Sequence, residues 1–252
     1  MKNIFNTLGL FIAIFAVTVF TSCNNDNEPN NNAQEFTITA TNVQGSGVNR
    51  IATVEATLLY REYYDGSTRI EEFVLGEAPF QNRGFSVTLS TDIPNLFLFS
   101  IEELEWGGEL AISNRNANLV SFGGDNGGFV AFDSDGNRIG GGIAKTAKTN
   151  TAEYYAFWIY ADKNVTVRGS FTTEWSRTTH FDLNLRSGWN AVFVRIESNE
   201  SGGIETFTSQ RPNNVTFMWE FWGWNDWDDW SSGFSATKRA ERKGGNSVFT
   251  RR

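Results

Sequence analysis

One cysteine, Cys23, and one histidine, His180, are all that the chain offers of the two side chains most used to ligate metals or attack substrates. With a single thiol no intrachain disulfide can form, and a thiolate zinc site has no ligands to draw on. A Ser-His-Asp triad would have to use His180, and no G-x-S-x-G elbow accompanies it. Set between Thr179 and Phe181, His180 reads as a partly exposed strand residue. Two further motifs are incomplete. Asp133, Asp135 and Asn137 match the first three ligand positions of a calcium loop, but Ala144 stands where the bidentate Glu is needed. A hairpin turn is the better reading there. Gly140-Gly141-Gly142-Ile143-Ala144-Lys145-Thr146 lacks the glycine directly before the lysine of a phosphate loop, and no helix pattern follows it. It reads as a strand edge or bulge. Carboxylates distant in sequence can converge for hydrolysis, yet nothing singles out a pair. No motif requires a metal or cofactor, and none names a catalytic residue.

Long apolar runs are also missing, save one. Leu8 to Phe20 is apolar, preceded by Lys2 and followed by Thr21, Ser22 and Cys23. This run is short for a membrane span and suits the core of a secretory signal. Phe20-Thr21-Ser22-Cys23 resembles the lipobox of bacterial lipoproteins, with phenylalanine in the place usually held by leucine. The expectation is a signal peptide over 1–22, cleaved so that Cys23 is acylated and becomes the first residue. The rival reading is a buried free cysteine behind an ordinary signal or anchor helix. Each buried methylene contributes ~0.8 kcal/mol, so two or more acyl chains hold a protein on a bilayer without spanning it. Residues 24–34 contain six Asn, with Asp26 and Glu28, and almost nothing apolar. Such a stretch cannot bury enough surface to fold, which makes 23–35 a flexible tether. Asn24 directly after the cysteine looks like outer-membrane sorting, and the acids behind it resemble a surface-export signal.

Against these absences stands a large aromatic load of 22 Phe, 9 Trp and 6 Tyr, with 24 Gly. Aromatic and β-branched residues favour strands, and Asx-Gly turns separate them. The alternating sets are Phe36, Ile38, Ala40; Ala52, Val54, Ala56, Leu58, Tyr60; Phe85, Val87, Leu89; Phe181, Leu183, Leu185; Trp189, Ala191, Phe193, Arg195; and Val215, Phe217, Trp219, Phe221. Asp65-Gly66 marks a hairpin, because glycine accepts a positive φ. Phe129 to Ile139 reads as strand, turn, strand. Tyr154–Ala161 (YYAFWIYA) is apolar on both faces and should be a central strand. Val165 and Val167 follow the Asp162-Lys163-Asn164 turn, whereas residues 93–104 suit a strand or a short helix. About eleven or twelve strands joined by short turns, with no long helix, predict an all-β domain over 36–236. The predicted architecture is an antiparallel β-sandwich, with a β-barrel or two small sandwich subdomains as alternatives.

Charge is unevenly distributed. The net value is −8, yet Lys238, Arg239, Arg242, Lys243, Arg251 and Arg252 crowd the last stretch. The remaining body is therefore more acidic than the total, which disfavours nucleic acid as a partner. Residues 237–252, basic and glycine-containing, read as a disordered tail, or as a contact for an anionic surface.

Residues 219–231 read WEFWGWNDWDDWS. Trp219 and Phe221 continue the strand alternation and belong to a core. Trp222, Trp224, Trp227 and Trp230 sit among Asp226, Asp228 and Asp229, and these aspartates cannot be buried without partners. An aromatic ring packs on the C–H face of a sugar while carboxylates accept its hydroxyl hydrogens. The candidate ligand-binding residues are therefore Trp222, Trp224, Asp226, Trp227, Asp228 and Trp230. The plainer alternative is a hydrophobic cap on the sandwich end, or a membrane-proximal anchor.

Three blocks carry a family resemblance. Gly76-Glu77-Ala78-Pro79-Phe80-Gln81-Asn82-Arg83-Gly84-Phe85-Ser86-Val87-Thr88-Leu89 is the first. Trp158-Ile159-Tyr160-Ala161-Asp162-Lys163-Asn164-Val165-Thr166-Val167-Arg168-Gly169 is the second, and Phe181-Asp182-Leu183-Asn184-Leu185-Arg186-Ser187-Gly188-Trp189-Asn190 the third. Over residues 36 to about 222 the chain resembles a family of uncharacterised Bacteroidota lipoproteins. The resemblance implies an all-β fold and an envelope location, and it brings no catalytic residues. The Trp/Asp segment and the basic tail go beyond the family's usual ending. The expectation is thus an outer-membrane lipoprotein, facing the periplasm or the cell exterior. Its partners would be the membrane and a glycan or another envelope protein. A ligand-binding module is the leading role, a structural or assembly component the alternative, and a carboxylate-dependent glycoside hydrolase a third.

Overall fold

The computed structural model describes residues 35–64, 67–102, 110–123, 126–172, 177–199 and 202–223. The signal with Cys23, nearly all of the tether, residues Trp224, Asp226, Trp227, Asp228 and Trp230, and the basic tail lie outside the described residues. The strands are β1 (Phe36–Ala40), β2 (Thr53–Tyr64), β3 (Ser67–Pro79), β4 (Phe85–Leu89), β5 (Phe99–Ser100), β6 (Ala111–Ile112), β7 (Asn118–Phe122) and β8 (Gly127–Phe132). They continue as β9 (Gly140–Lys148), β10 (Glu153–Ala161), β11 (Val165–Thr172), β12 (Arg177–Leu185), β13 (Gly188–Asn199), β14 (Gly202–Thr208) and β15 (Met218–Gly223). Single 3-10 turns at Val48–Arg50 and Asn95–Phe97 are the helical elements among the described residues, so the domain is all-β as the sequence predicts.

Period-two alternation builds the small sheet. In β4, Phe85, Val87 and Leu89 are buried while Ser86 and Thr88 are exposed. β1 lies antiparallel to it, with Ile38 opposite Val87. Its outer face is a short hydroxyl ladder, Thr37 to Thr88 and Thr39 to Ser86, each at 2.8 Å. β2 and β3 form the expected hairpin, Tyr64 facing Ser67 across Asp65-Gly66.

The other strands make one thirteen-stranded sheet in the order β3-β2-β8-β9-β10-β13-β14-β12-β11-β6, with β15 on β9, β7 on β10 and β5 on β7. Its ends, β3 and β6, do not pair, so it is a folded sandwich and not a closed barrel. β10 is the central strand that its two-sided apolar sequence predicts. β13 covers one edge along its whole length, while β9 and then β7 share the other. Trp158 of β10 enters a core with Phe122, Phe129, Trp189 and Trp219. Phe157, Ile159 and Ala161 enter a second core with Leu119, Val165, Leu183, Val192 and Phe207. In the first, Phe129 lies 4.9 Å from Phe85, 4.8 Å from Phe122, and 5.7 Å from both Trp158 and Trp219, centroid to centroid.

Many neighbours in the sheet are not consecutive in the chain, and among the described strands one pairing is parallel. The alternation of β12 followed by Arg186-Ser187-Gly188 suggests a hairpin with β13. Instead β14 lies between them, antiparallel to β13 and parallel to β12. Leu185 at the end of β12 belongs to the second core and Trp189 at the start of β13 to the first, while Val192 and Val194 further along β13 return to the second. Asn190 fixes the crossover: its Oδ1 accepts from the Arg186 amide at 2.9 Å, and its Nδ2 donates to the Arg186 carbonyl at 2.7 Å.

Candidate functional site

β15 delivers the tryptophan-rich segment, and it is held on both edges. One edge pairs with β9, Trp219 opposite Lys145 and Phe221 opposite Ile143. On the other, the Gln44 amide donates to the Trp219 carbonyl at 2.8 Å and the Phe221 amide donates to the Gln44 carbonyl at 2.7 Å. Trp219 and Phe221 are 6% and 2% exposed, the core positions expected of them. The Trp219 ring stacks on Trp158 at 6.0 Å with only 10° between planes. Trp222 falls on the opposite face, opposite Gly142, and is half-buried. The glycine run explains how β15 fits. A Cβ on Gly140 would lie 2.4 Å from the Phe221 ring, and the register shifts between Trp222 and Gly223, passing over Gly141. The run is therefore a bulged strand in the sheet interior, not an edge. Of the candidate binding residues, Trp222 alone is described, so the assembly of the others is not placed here.

Two acids are brought together that the sequence does not single out. Glu55 of β2 stands directly opposite Glu77 of β3. Partial burial, then the Glu77 and Glu72 carboxylates, push the Glu55 carboxyl above its ordinary 4.5, and Arg138 pulls it partly back. Arg138 itself reaches Glu72 at 3.7 Å. A raised folded-state pKa means that the unfolded chain ionises first, so this pair costs stability as pH rises from about 4.5 through the raised value. Glu55→Gln removes that cost. The variant should be more stable than the wild type at pH 7, by the ~0.2–1 kcal/mol typical of like charges opposed on a sheet, and equal to it at pH 4. Urea unfolding at both pH values measures this, and an equal or lower midpoint at pH 7 would contradict it.

His180 is exposed on β12, as expected. Ser170 lies opposite it and Asp182 two residues along, an order suggestive of a triad. Asp182 instead faces Arg168 at 3.4 Å, and no hydrogen bond joins Ser170 to His180 among the described residues. The Asp133 segment is a turn. Asp133 Oδ1 accepts from the Asp135 amide at 3.0 Å and the Asn137 amide at 2.9 Å, with Gly136 at φ 80°. These amides hold the Asp133 carboxyl below its ordinary value. No group of three or more metal-ligating side chains gathers among the described residues.

One cluster escapes sequence reasoning. Lys145 of β9 is half-buried, and its Nζ sits 5.5 Å from the centroid of Trp219. Arg211, in the segment between β14 and β15, carries its guanidinium 6.0 Å over Phe217. Phe217 in turn packs 5.5 Å from Phe193 and 6.5 Å from Tyr154. Burial, then the Arg211 charge, depress the Lys145 amine below 10.5. The only sequence signal for this cluster is the lone lysine after the glycine run.

No helix of the described residues is long and apolar enough to cross a membrane, which says nothing of crossing by strands. Comparison of the chain with protein-family models, with curated proteins and with solved structures finds no match.

Proposed function

We propose that this protein is a lipid-anchored component of a bacterial cell envelope whose β domain binds a saccharide ligand. The signal ending at Cys23 and the resemblance to Bacteroidota lipoproteins support the anchoring. The observation that carries the binding reading is the division of the tryptophan-rich segment at β15. Trp219 and Phe221 enter the core, and Trp222 falls on the opposite face of the strand, half-buried. Trp224, Trp227 and Trp230 follow in sequence among Asp226, Asp228 and Asp229, and aromatic rings beside carboxylates have the chemistry of a sugar-binding rim.

Two measurements test the two halves. Cells fed radiolabelled palmitate should label the wild-type protein and not Cys23→Ala, and the variant should leave the membrane fraction. Titration with a broad panel of polysaccharides should change tryptophan fluorescence in the wild type. The change should disappear when Trp224, Trp227 and Trp230 are replaced together by Ala. An unlabelled wild type would remove the anchor, and silence across the panel would remove the binding role. A second reading, an assembly component of the cell surface, has its own observation. β3 ends the sheet, and on it Ile70 and Val74 are 53% and 48% exposed, an edge that another chain could extend. A cross-linked partner in a pull-down, together with no glycan response, would favour that reading.

A further inference from the structure

Lys145 carries a charge that no acid neutralises among the described residues. Other cations of the domain have acid partners. Arg50 faces Asp133, Arg69 faces Glu71, Lys148 faces Glu153, and Arg195 faces Glu197. In a chain of net charge −8, acids are not scarce. Lys145 instead lies over Trp219 and Arg211 over Phe217, two residues earlier in the chain, and neither forms an ion pair among the described residues. Lys145 is half-buried, so its ammonium has given up part of its hydration, and Arg211 adds like-charge repulsion. Both penalties vanish if an anion sits between the two. The flanking Phe217 ring, supported from beneath by Phe193 and Tyr154, offers an apolar face beside that position.

We propose that Lys145 and Arg211 form a binding site for one oxyanion group, the carboxylate or sulfate of an acidic saccharide, with Phe217 against the sugar ring. The saccharide half of this statement rests on the proposed function. The oxyanion half stands apart from that reading, on two cations set over adjacent rings of one segment. Lys145 binds as a point charge and Arg211 as a fork of donors, a combination suited to a tetrahedral or planar oxyanion.

The test uses the detergent-solubilised full-length protein, with sodium glucuronate, sodium sulfate and glucose as probes, followed by one uronate-containing and one neutral polysaccharide. Because Trp219 lies beneath the Lys145 ammonium, glucuronate or sulfate should give a saturable fluorescence change, and glucose none. Lys145→Met and the exposed Arg211→Gln should each weaken anion binding by about tenfold or more, as loss of a charge-assisted hydrogen bond does. The uronate polysaccharide should bind more tightly than the neutral one, and that preference should be lost in both variants. No response to either anion, or equal anion affinity in the wild type and Arg211→Gln, overturns the site. Anion binding that depends on both cations, with neither polysaccharide bound, keeps the oxyanion site and removes the saccharide reading. Equal binding of both polysaccharides by wild type and variants keeps the saccharide reading and removes this site.

Discussion

Phe129→Ala should lower the unfolding free energy by about 3–5 kcal/mol, the range for truncating a large buried aromatic. Phe129 is 2% exposed and touches four other aromatic rings, from β4, β7, β10 and β15. No single neighbour can collapse into the space, because each ring is held by its own strand. The loss therefore contains both the transfer term and a cavity term, with the four broken ring pairs included in that range. Phe171→Ala is the control. Phe171 is half-buried on β11 and, among the described residues, stacks on Phe181 at 6.0 Å, so about 1 kcal/mol is expected there. Equilibrium urea unfolding with tryptophan fluorescence reports both. If the two variants lose the same stability, Phe129 is not the hub that its contacts describe.

Gly45→Ala should cost more than ~2 kcal/mol, although it adds one methyl group. Gly45 has φ 128°, a region L side chains rarely enter, and its Cβ would lie 2.1 Å from the Phe221 carbonyl oxygen. That carbonyl is backbone and cannot swing aside. The methyl group must push apart the Gln44 strand and β15, breaking the bonds from Gln44 to Trp219 and from Phe221 to Gln44. Gly136→Ala separates the two causes. Gly136 also has a positive φ, 80°, but nothing lies within 4 Å of its Cβ. It should lose only the backbone penalty, roughly 1 kcal/mol. A Gly45→Ala midpoint close to that of Gly136→Ala would mean that β15 yields freely at this contact.

What the sequence makes legible follows from where one physical rule acts alone. Strict alternation identifies β1, β4 and β12, because each has one face in a core and one in water. Apolar residues at every position mark β10, because both of its faces are covered. The Asp133 turn is legible because its side chain closes it locally. β7 and β14 are not. Asn118–Phe122 has no alternation, since four of its five residues in a row are buried, and Gly202-Gly203 at the head of β14 resembles a loop. Missing β14 hides the parallel pairing, since only a strand inserted between β12 and β13 prevents the hairpin. The Glu55–Glu77 opposition depends on a register that shifts by a bulge between Ala56 and Thr57. Lys145 is visible only as a fragment of a phosphate loop. The Arg211 charge that acts on it comes from the loop ahead of β15, more than sixty residues away in the chain.

The clamp between Gln44 and β15 has a consequence for the order of assembly. The backbone groups at Gln44 find their partners only on Trp219 and Phe221, and the first core is closed by the same two rings. That core begins with the first strand of the domain and cannot close until the last one has emerged from the ribosome. Contacts between such distant parts of a chain must overcome loop-closure entropy before they stabilise anything, so folding is slow and late. The first core therefore waits for β15, whereas the second core draws no residue from that strand and is free to close before it is made.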